Sequence, residues 1–294
     1  MSVFKPLGQA LLMSLAGISI TSAAEAVQQP TAGQVLVVLS GEQELALRDG
    51  KSYKTGYFLN ELAIPLKKIV DAGYMPVFAS PGGKTPAMDA NSNNKFFFGN
   101  DESARAAAYK FVSDFAALKH PIKLSNAAKS GSRSYAGIFI PGGHAPMQDL
   151  VHDKSLGKIL QSFHEAGKPT GIICHGPIAL LSATSDPVGY EKALINGDKA
   201  ATSRYAKDWP YAGYRMTVFS NSEEKQGEGP GKQLGGEVRL YAEDALRAAG
   251  ANLDEATDWQ SKVVVDRELV TGQQPFSDKA FGDTFVSQLK AAHQ

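Results

Sequence analysis

The chain has 294 residues, of which 43% are hydrophobic and 20% are charged, with 30 basic and 30 acidic side chains and one Cys. This composition is typical of a globular protein that is long enough to bury a core, and it argues against disordered, collagen-like and coiled-coil chains. A formal net charge of zero argues against charge-driven binding to nucleic acid or membranes. One cysteine can form neither an internal disulfide nor the paired thiolates of a structural zinc site.

Residues 1–26 have the pattern of a signal peptide. Lys5 is followed by a mostly apolar run at residues 10–20 and by small residues that fit a cleavage site at residues 22–26. The apolar run is shorter than the roughly 20 residues that a membrane-spanning helix needs. An amphipathic or disordered extension is the alternative. We expect an exported protein, periplasmic or secreted, without a membrane anchor after cleavage, and with residues 27–294 as one domain.

The remaining chain alternates between short apolar strands and amphipathic helices. In chain order we predict a strand at 34–39, a helix at 57–72, a strand at 75–79, a helix at 103–118, a strand at 135–140, a helix at 154–166, a strand at 170–173, a helix from 177, a strand near 200–202, a helix at 238–249, a hairpin of 262–266 with 268–271, and a helix at 278–292. This alternation predicts a mostly parallel sheet covered on both faces, which binds ligands at the carboxyl ends of its strands.

The one cysteine, Cys174, lies between a predicted strand and a predicted helix, in the sequence GIICHGP. This placement is that of a nucleophile elbow, although Ile172 stands where that motif has a glycine. Gly176 relieves crowding behind the turn, and Pro177 suits a first helical turn. A helix N-terminus lowers the pKa of a nearby thiol, so we expect a thiolate that is reactive near neutral pH.

The alternative interpretation of Cys174 is a small buried hydrophobic residue, which is the most frequent fate of a free cysteine. Two neighbours favour the reactive interpretation. His175 adjoins the thiol, and the turn Gly142-Gly143-His144 ends the preceding predicted strand. His175 by itself could equally be a capping or otherwise satisfied histidine.

Five short motifs, in their order and spacing, resemble a known family. They are residues 54–56 (KTG) with Glu61, 141–144 (PGGH), 174–177 (CHGP), 219–224 (FSNSEE) and 269–275 (LVTGQQP). The sequence is similar to the ThiJ/PfpI superfamily, which shares the fold of class I glutamine amidotransferases, and most similar to its glyoxalase III or heat-shock chaperone branch. The resemblance implies a flavodoxin-like α/β sandwich, in agreement with the predicted elements.

The resemblance also implies functions for matching residues. It implies that Cys174 is the nucleophile and that His175 is its neighbouring base. Glu61 is expected to lie beside the thiol and to shuttle protons. The backbone N–H groups of Gly143 and His175 are expected to stabilise an oxyanion. The carboxylate that orients His175 is expected to be Glu224, with Glu223 as the alternative.

The leading functional hypothesis is a glutathione-independent conversion of methylglyoxal, or a related 2-oxoaldehyde, to a 2-hydroxy acid through a cysteine hemithioacetal, as in glyoxalase III and D-lactate dehydratase. The alternatives are a stress-related holdase chaperone and a cysteine amidohydrolase or peptidase of the same fold. We expect a small aldehyde substrate, no nucleic-acid partner and a homodimer.

Two further expectations concern metals and residues 203–217. The six histidines show no paired ligand spacing, so we expect no metal and no other cofactor, although Glu61 and His144 could hold a divalent ion adventitiously. Trp209, Tyr211 and the other aromatic residues of 203–217 are expected to form a lid over the site or an oligomer contact.

Overall fold

The computed structural model describes residues 1–2 and 32–292. The predicted signal peptide lies almost entirely outside the described residues, so export stays a prediction. Within residues 32–292, no helix combines the length and the apolar character that crossing a membrane would require.

The strands of the described residues are short, and most of them are buried. They are β1 Gln34–Val38, β2 Glu44–Ala46, β3 Ser52–Lys54, β4 Met75–Ser80, β5 Ile122–Lys123, β6 Gly137–Ile140, β7 Thr170–Ile173, β8 Arg215–Met216, β9 Asn252–Leu253, β10 Val263–Asp266 and β11 Leu269–Gly272.

The helices of the same residues are α1 Leu59–Asp71, α2 Glu102–Ser113, α3 Ala116–Lys119, α4 Leu124–Ser130, α5 Lys154–Glu165, α6 Pro187–Ile195, α7 Lys199–Ala206, α8 Asn221–Gly227, α9 Ala242–Ala248 and α10 Asp278–Ala291. Three 3₁₀ segments matter for the site, and they are Lys95–Phe98, Gly176–Ala183 and Pro275–Ser277.

A seven-stranded sheet in the order β10-β11-β7-β6-β1-β4-β5 forms the centre of the described chain. Only β10 is antiparallel to its neighbour. Side chains of a strand alternate between faces, and in β1 Leu36 and Val38 pack in one core while Val35 and Val37 pack in the other. Helices α1, α2 and α10 cover one face, and α5 with Gly176–Ala183 covers the opposite one. The predicted flavodoxin-like sandwich is confirmed.

Two predicted elements near the middle of the chain are wrong. Residues 200–202, predicted as a strand, lie in α7, whose first turn is capped by the side chain of Asp198 accepting from Ala201 N at 3.0 Å. An Asp cap favours a helix over a strand for the residues that follow it. The helix predicted from Pro177 is the 3₁₀ segment Gly176–Ala183.

The aromatic residues of 203–217 form neither a lid nor an exposed contact surface. Trp209, Tyr211 and Tyr214 are buried in the core on the α5 face of the sheet. Their polar atoms bond inside that core: Trp209 Nε1 donates to Leu180 O at 2.9 Å, and Tyr211 Oη donates to Leu160 O at 3.1 Å. Buried aromatic residues need such partners for their polar atoms, so this segment is structural.

Candidate active site

The carboxyl ends of β6 and β7 bring the predicted site residues together. Gly143 and His144 follow β6, and Cys174 follows β7. Glu61 lies in the first turn of α1, where Phe58 N donates to Gly142 O at 3.3 Å and so ties the helix start to the loop after β6. This is the edge where open parallel sheets bind ligands.

Cys174 occupies a strained backbone position at the end of β7. Its φ is 63°, a left-handed conformation that a non-glycine residue rarely adopts. Cys174 N donates to Gly272 O at 2.8 Å, and Phe219 N donates to Cys174 O at 2.9 Å. These bonds hold the thiol at a sharp turn, as the nucleophile-elbow interpretation predicted.

Glu61 and Cys174 face each other in a buried space. Glu61 is fully buried, and no other protein group satisfies its carboxylate oxygens with good hydrogen-bond geometry among the described residues. Burial, opposed by a hydrogen bond with the Cys174 thiol, raises the pKa of Glu61 to about 8. A side chain at Gly142 would collide with the Glu61 carboxylate and with Cys174 Cβ, so glycine is required there.

The expected low pKa of the thiol is wrong. Burial first, and then the Glu61 carboxylate, raise the pKa of Cys174 well above the ordinary thiol value, although backbone N–H groups of Gly143 and His175 favour the thiolate. The residue that follows begins a 3₁₀ segment with no long helix dipole to compensate. Deprotonation of Cys174 therefore needs a base within the site.

Glu224 joins two histidines. His175 Nε2 donates to Glu224 Oε2 at 2.6 Å, and His144 Nε2 donates to Glu224 Oε1 at 2.8 Å. A carboxylate only accepts, so neutral His175 carries its proton on Nε2 and leaves Nδ1 free. Nδ1 lies 3.3 Å from Cys174 Sγ, and it is the nitrogen that can accept the thiol proton.

The charges of this trio follow from burial and proximity. Burial opposes ionisation of Glu224, yet the two histidines hold its pKa well below the usual range. Burial, followed by the neighbouring His144, lowers the pKa of His175 to about 4. The carboxylate outweighs burial at His144 and raises the pKa of that residue. At neutral pH, Glu224 is ionised and His175 is a neutral acceptor.

Glu223 has a different environment from Glu224. Ser220 and Glu223 form a capping box at the start of α8, in which Glu223 N donates to Ser220 Oγ and Ser220 N donates to Glu223 Oε2. Glu223 Oε1 accepts from Trp259 N at 2.8 Å. Of the two predicted alternatives, only Glu224 contacts the histidines. The S-x-x-E spacing from Ser220 was the sequence signal that distinguishes them.

A cavity of about 610 Å³ opens above the thiol. Its wall includes His144, Cys174, His175 and Glu224, and it also includes six aromatic side chains, which are Phe58, Phe96, Phe97, Phe219, Trp259 and Phe276. Phe219 stacks on His175 with ring centroids 4.3 Å apart. The sequence interpretation missed the aromatic wall, because its members come from five separate segments, although the run Phe96-Phe97-Phe98 was a visible signal.

The trio of His144, His175 and Glu224 also has the donor atoms of a metal site. Ligand atoms of His144, His175 and Glu224 lie within 4.8 Å of one another, so these residues, rather than Glu61 with His144, are the group that could hold a divalent ion. From the sequence, His144 was part of the PGGH motif and a possible metal ligand, and no hydrogen-bond partner was predicted for it. Its bond to Glu224 could not be foreseen, because the two residues are 80 positions apart.

Comparisons with known proteins agree with this fold. The profile of ThiJ/PfpI family-like proteins matches residues 53–221. Protein/nucleic acid deglycase HchA of Staphylococcus aureus is 26% identical over 267 residues, which are 89% of this chain and 81% of that protein. The structure of glyoxalase III from Candida albicans is 22% identical, with a TM-score of 0.57 and coverage of 87% of this chain and 97% of that one.

A further solved structure, Rapid Encystment Protein 24 kDa of Francisella tularensis, is 24% identical with a TM-score of 0.66 and covers 87% of this chain and 99% of that one. The family profile spans more than half of the sequence, and it includes the segments that carry Glu61, Gly143, Cys174 and His175. The chain therefore belongs to the ThiJ/PfpI family, as its motifs predicted.

Proposed function

We propose that this protein is an enzyme that converts a 2-oxoaldehyde to the corresponding 2-hydroxy acid, with Cys174 as the nucleophile. One observation carries the proposal: a buried thiol lies between a neutral histidine nitrogen, 3.3 Å away on His175, and a carboxyl group on Glu61 whose pKa is raised to about 8. A nucleophile, an acceptor for its proton, and a carboxyl group that can both take and return a proton are the groups that this reaction needs.

In the first step, His175 Nδ1 takes the thiol proton and the sulfur adds to the aldehyde carbon. A C–S bond forms, and the carbonyl π electrons move to the oxygen, which gives a hemithioacetal after protonation. Backbone N–H groups of Gly143 and His175 point to the sulfur, and they are close enough to the reacting centre to stabilise the developing oxyanion. The charge on Glu224 stabilises the imidazolium that His175 becomes.

In the second step, Glu61 removes the proton from the former aldehyde carbon and returns it to the adjacent carbon through an enediol. One carbon is oxidised and its neighbour is reduced, so no external oxidant or reductant is needed. The product is a thioester of Cys174, and attack by water breaks the C–S bond and releases the 2-hydroxy acid. A pKa near neutrality suits a group that must act in both directions.

The relative named a deglycase, at 26% identity, supports an enzymatic function of the deglycase and glyoxalase type for this chain. We expect the site around Cys174, rather than an exposed surface of the protein, to carry this activity.

The test is lactate formation from methylglyoxal, without glutathione or added metal, by wild type, Cys174→Ala and Tyr109→Ala. Tyr109 is an exposed aromatic residue outside the cavity, so Tyr109→Ala is a control for general effects of substitution. We expect Cys174→Ala to lose activity by about 10³-fold or more. Wild-type turnover in Cys174→Ala would contradict the proposal. Absence of lactate with every protein would also contradict it, and would favour the holdase or amide-hydrolase hypothesis.

A further inference from the structure

The cavity is larger than a small 2-oxoaldehyde requires. Methylglyoxal has only a few non-hydrogen atoms, whereas a cavity of about 610 Å³ falls in the range that holds drug-sized ligands. Cys174 and His175 line this cavity, and Glu61, which bonds to the Cys174 thiol, is buried beside it. The space beyond them is therefore available to a substituent of the substrate.

That outer space is bounded by four aromatic rings. Phe96 lies 5.5 Å from Phe276 and Trp259 lies 6.4 Å from Phe276 between ring centroids, in edge-to-face contacts, and Phe97 lies 6.0 Å from Phe276. We call this group the aromatic subsite. Phe96 is 53% exposed and Trp259 is 37% exposed. Apolar rings that converge on a cavity while remaining open to solvent are characteristic of a ligand site.

Trp259 is held in place at a conformational cost. Its φ is 62°, which is unfavourable for a bulky side chain and persists only where the surroundings enforce it. The enforcing contacts are Trp259 N donating to Glu223 Oε1 at 2.8 Å and Trp259 Nε1 donating to Gln226 Oε1 at 2.9 Å. Both partners lie on α8, the helix that also carries Glu224, so one helix orients the reacting histidine and the outer ring.

The charges around the cavity exclude a cationic substituent. Lys232 lines the cavity, and the two carboxylates in its wall are buried and already bonded, Glu224 to the histidines and Glu223 to backbone N–H groups. A cationic substituent would share the cavity with Lys232, and the wall has no free carboxylate to balance the two charges.

We propose that the aromatic subsite binds an uncharged aromatic group of the substrate, so that this protein prefers an arylglyoxal such as phenylglyoxal to methylglyoxal. The inference rests on the proposed function for its chemistry, and it assigns the substrate class of the same site. The steps are those of the proposed function, and they need no external oxidant or reductant: the thiol adds to the aldehyde carbon of phenylglyoxal, a proton moves between the two carbons, and water releases mandelate.

The first test measures the ratio of kcat/KM for phenylglyoxal to kcat/KM for methylglyoxal. Wild type should favour phenylglyoxal by at least about tenfold, and Trp259→Ala and Phe96→Ala should each reduce the ratio by about tenfold, because each removes an aromatic contact with the substituent. Phe96 is the more exposed ring, so its substitution is the safer for folding. Tyr109→Ala should keep the wild-type ratio. A ratio near one in wild type, or one that neither substitution changes, would overturn the inference.

A second test does not depend on turnover. Calorimetric titration with mandelate and with lactate measures binding of the product with and without the aromatic group. We expect wild type and Tyr109→Ala to bind mandelate at least about tenfold more tightly than lactate, and Trp259→Ala to lose that difference. Equal affinities, or no mandelate binding, would reject the aromatic subsite. Tight mandelate binding without any aldehyde turnover would instead reject the proposed reaction and leave the subsite standing.

Discussion

His144 and His175 lie with their ring centroids 4.0 Å apart and donate to the two oxygens of one carboxylate, that of Glu224. Two imidazolium ions at this distance would repel each other strongly. The pKa of His144 is raised and that of His175 is lowered, so His144 holds a proton more readily, and His175 remains neutral and able to accept the proton of Cys174.

This relationship predicts a shift in the pH profile of His144→Gln. Loss of the His144 imidazole removes one of the two effects that lower the pKa of His175 to about 4. That pKa then rises, so His175 becomes protonated at a higher pH than in wild type and can no longer accept a proton there. The acid limb of the kcat/KM profile should move to higher pH.

His152→Gln is the matched control, because His152 is paired with Glu191 and lies outside the cavity. An acid limb at the same pH in His144→Gln and wild type would show that His144 does not control the protonation of His175.

We expect Glu224→Gln to reduce catalysis and Glu223→Gln to reduce stability. An amide cannot accept from both histidines as the carboxylate does, so Glu224→Gln should reduce kcat/KM by about 10²-fold. Glu223→Gln weakens the capping box of α8, and it should reduce the free energy of unfolding by about 1 kcal/mol. Steady-state kinetics and urea unfolding of both variants provide the comparison. A larger loss of kcat/KM in Glu223→Gln would reverse the assignment.

Alkylation of Cys174 should report the charge on Glu61. The carboxylate of Glu61 contributes to the raised pKa of the thiol, so Glu61→Gln should lower that pKa. The rate of reaction with iodoacetamide, measured against pH, should reach its midpoint at lower pH in the variant. Cys174→Ala gives the background rate, since the sequence has one cysteine. A midpoint at higher pH in Glu61→Gln would contradict the electrostatic coupling.

Glu61 should also make folding stability dependent on pH. Its pKa is raised from 4.5 to about 8 in the folded state, so the folded protein binds the proton more tightly than the unfolded chain does. This contribution to stability is complete below pH 4.5 and is lost as the pH rises through 8.

Relative to wild type, Glu61→Gln should therefore gain about 1.4 kcal/mol of unfolding free energy per pH unit across this interval, on the order of 5 kcal/mol in total. Urea titrations at pH 5, 6.5 and 8 measure the difference, and a constant difference would be inconsistent with a buried, protonated Glu61.

Trp209→Phe should affect folding rather than catalysis. Trp209 is 3% exposed and donates to Leu180 O within the core on the α5 face. The substitution removes this buried hydrogen bond and leaves a small void, so the free energy of unfolding should fall by about 2 kcal/mol. Thermal unfolding and kcat/KM of Trp209→Phe distinguish the two effects. A changed KM with unchanged stability would restore the lid interpretation that the structure contradicts.

Six of the seven strands of the central sheet and the position of Cys174 were predictable because their signals are local, whereas the two-residue strand β5 was not predicted. Apolar runs and glycine turns mark β1, β4, β6, β7 and the hairpin of β10 and β11 within a few residues each. The segment at 200–202 was mistaken for a strand, because its helix depends on a single capping contact from Asp198. The aromatic residues near Trp209 were mistaken for a lid, because composition does not tell which face of a sheet a segment covers.

The sequence by itself determined the fold class, the family motifs and the position of the candidate nucleophile, since these depend on spacing along the chain. Only the tertiary structure decided the state of the thiol and the partner of each carboxylate. The pKa of Cys174 depends on the burial of Glu61 from α1, and the neutrality of His175 depends on His144 from another loop. Electrostatic effects act through space and grow as water is excluded, so they follow from packing and not from the order of residues.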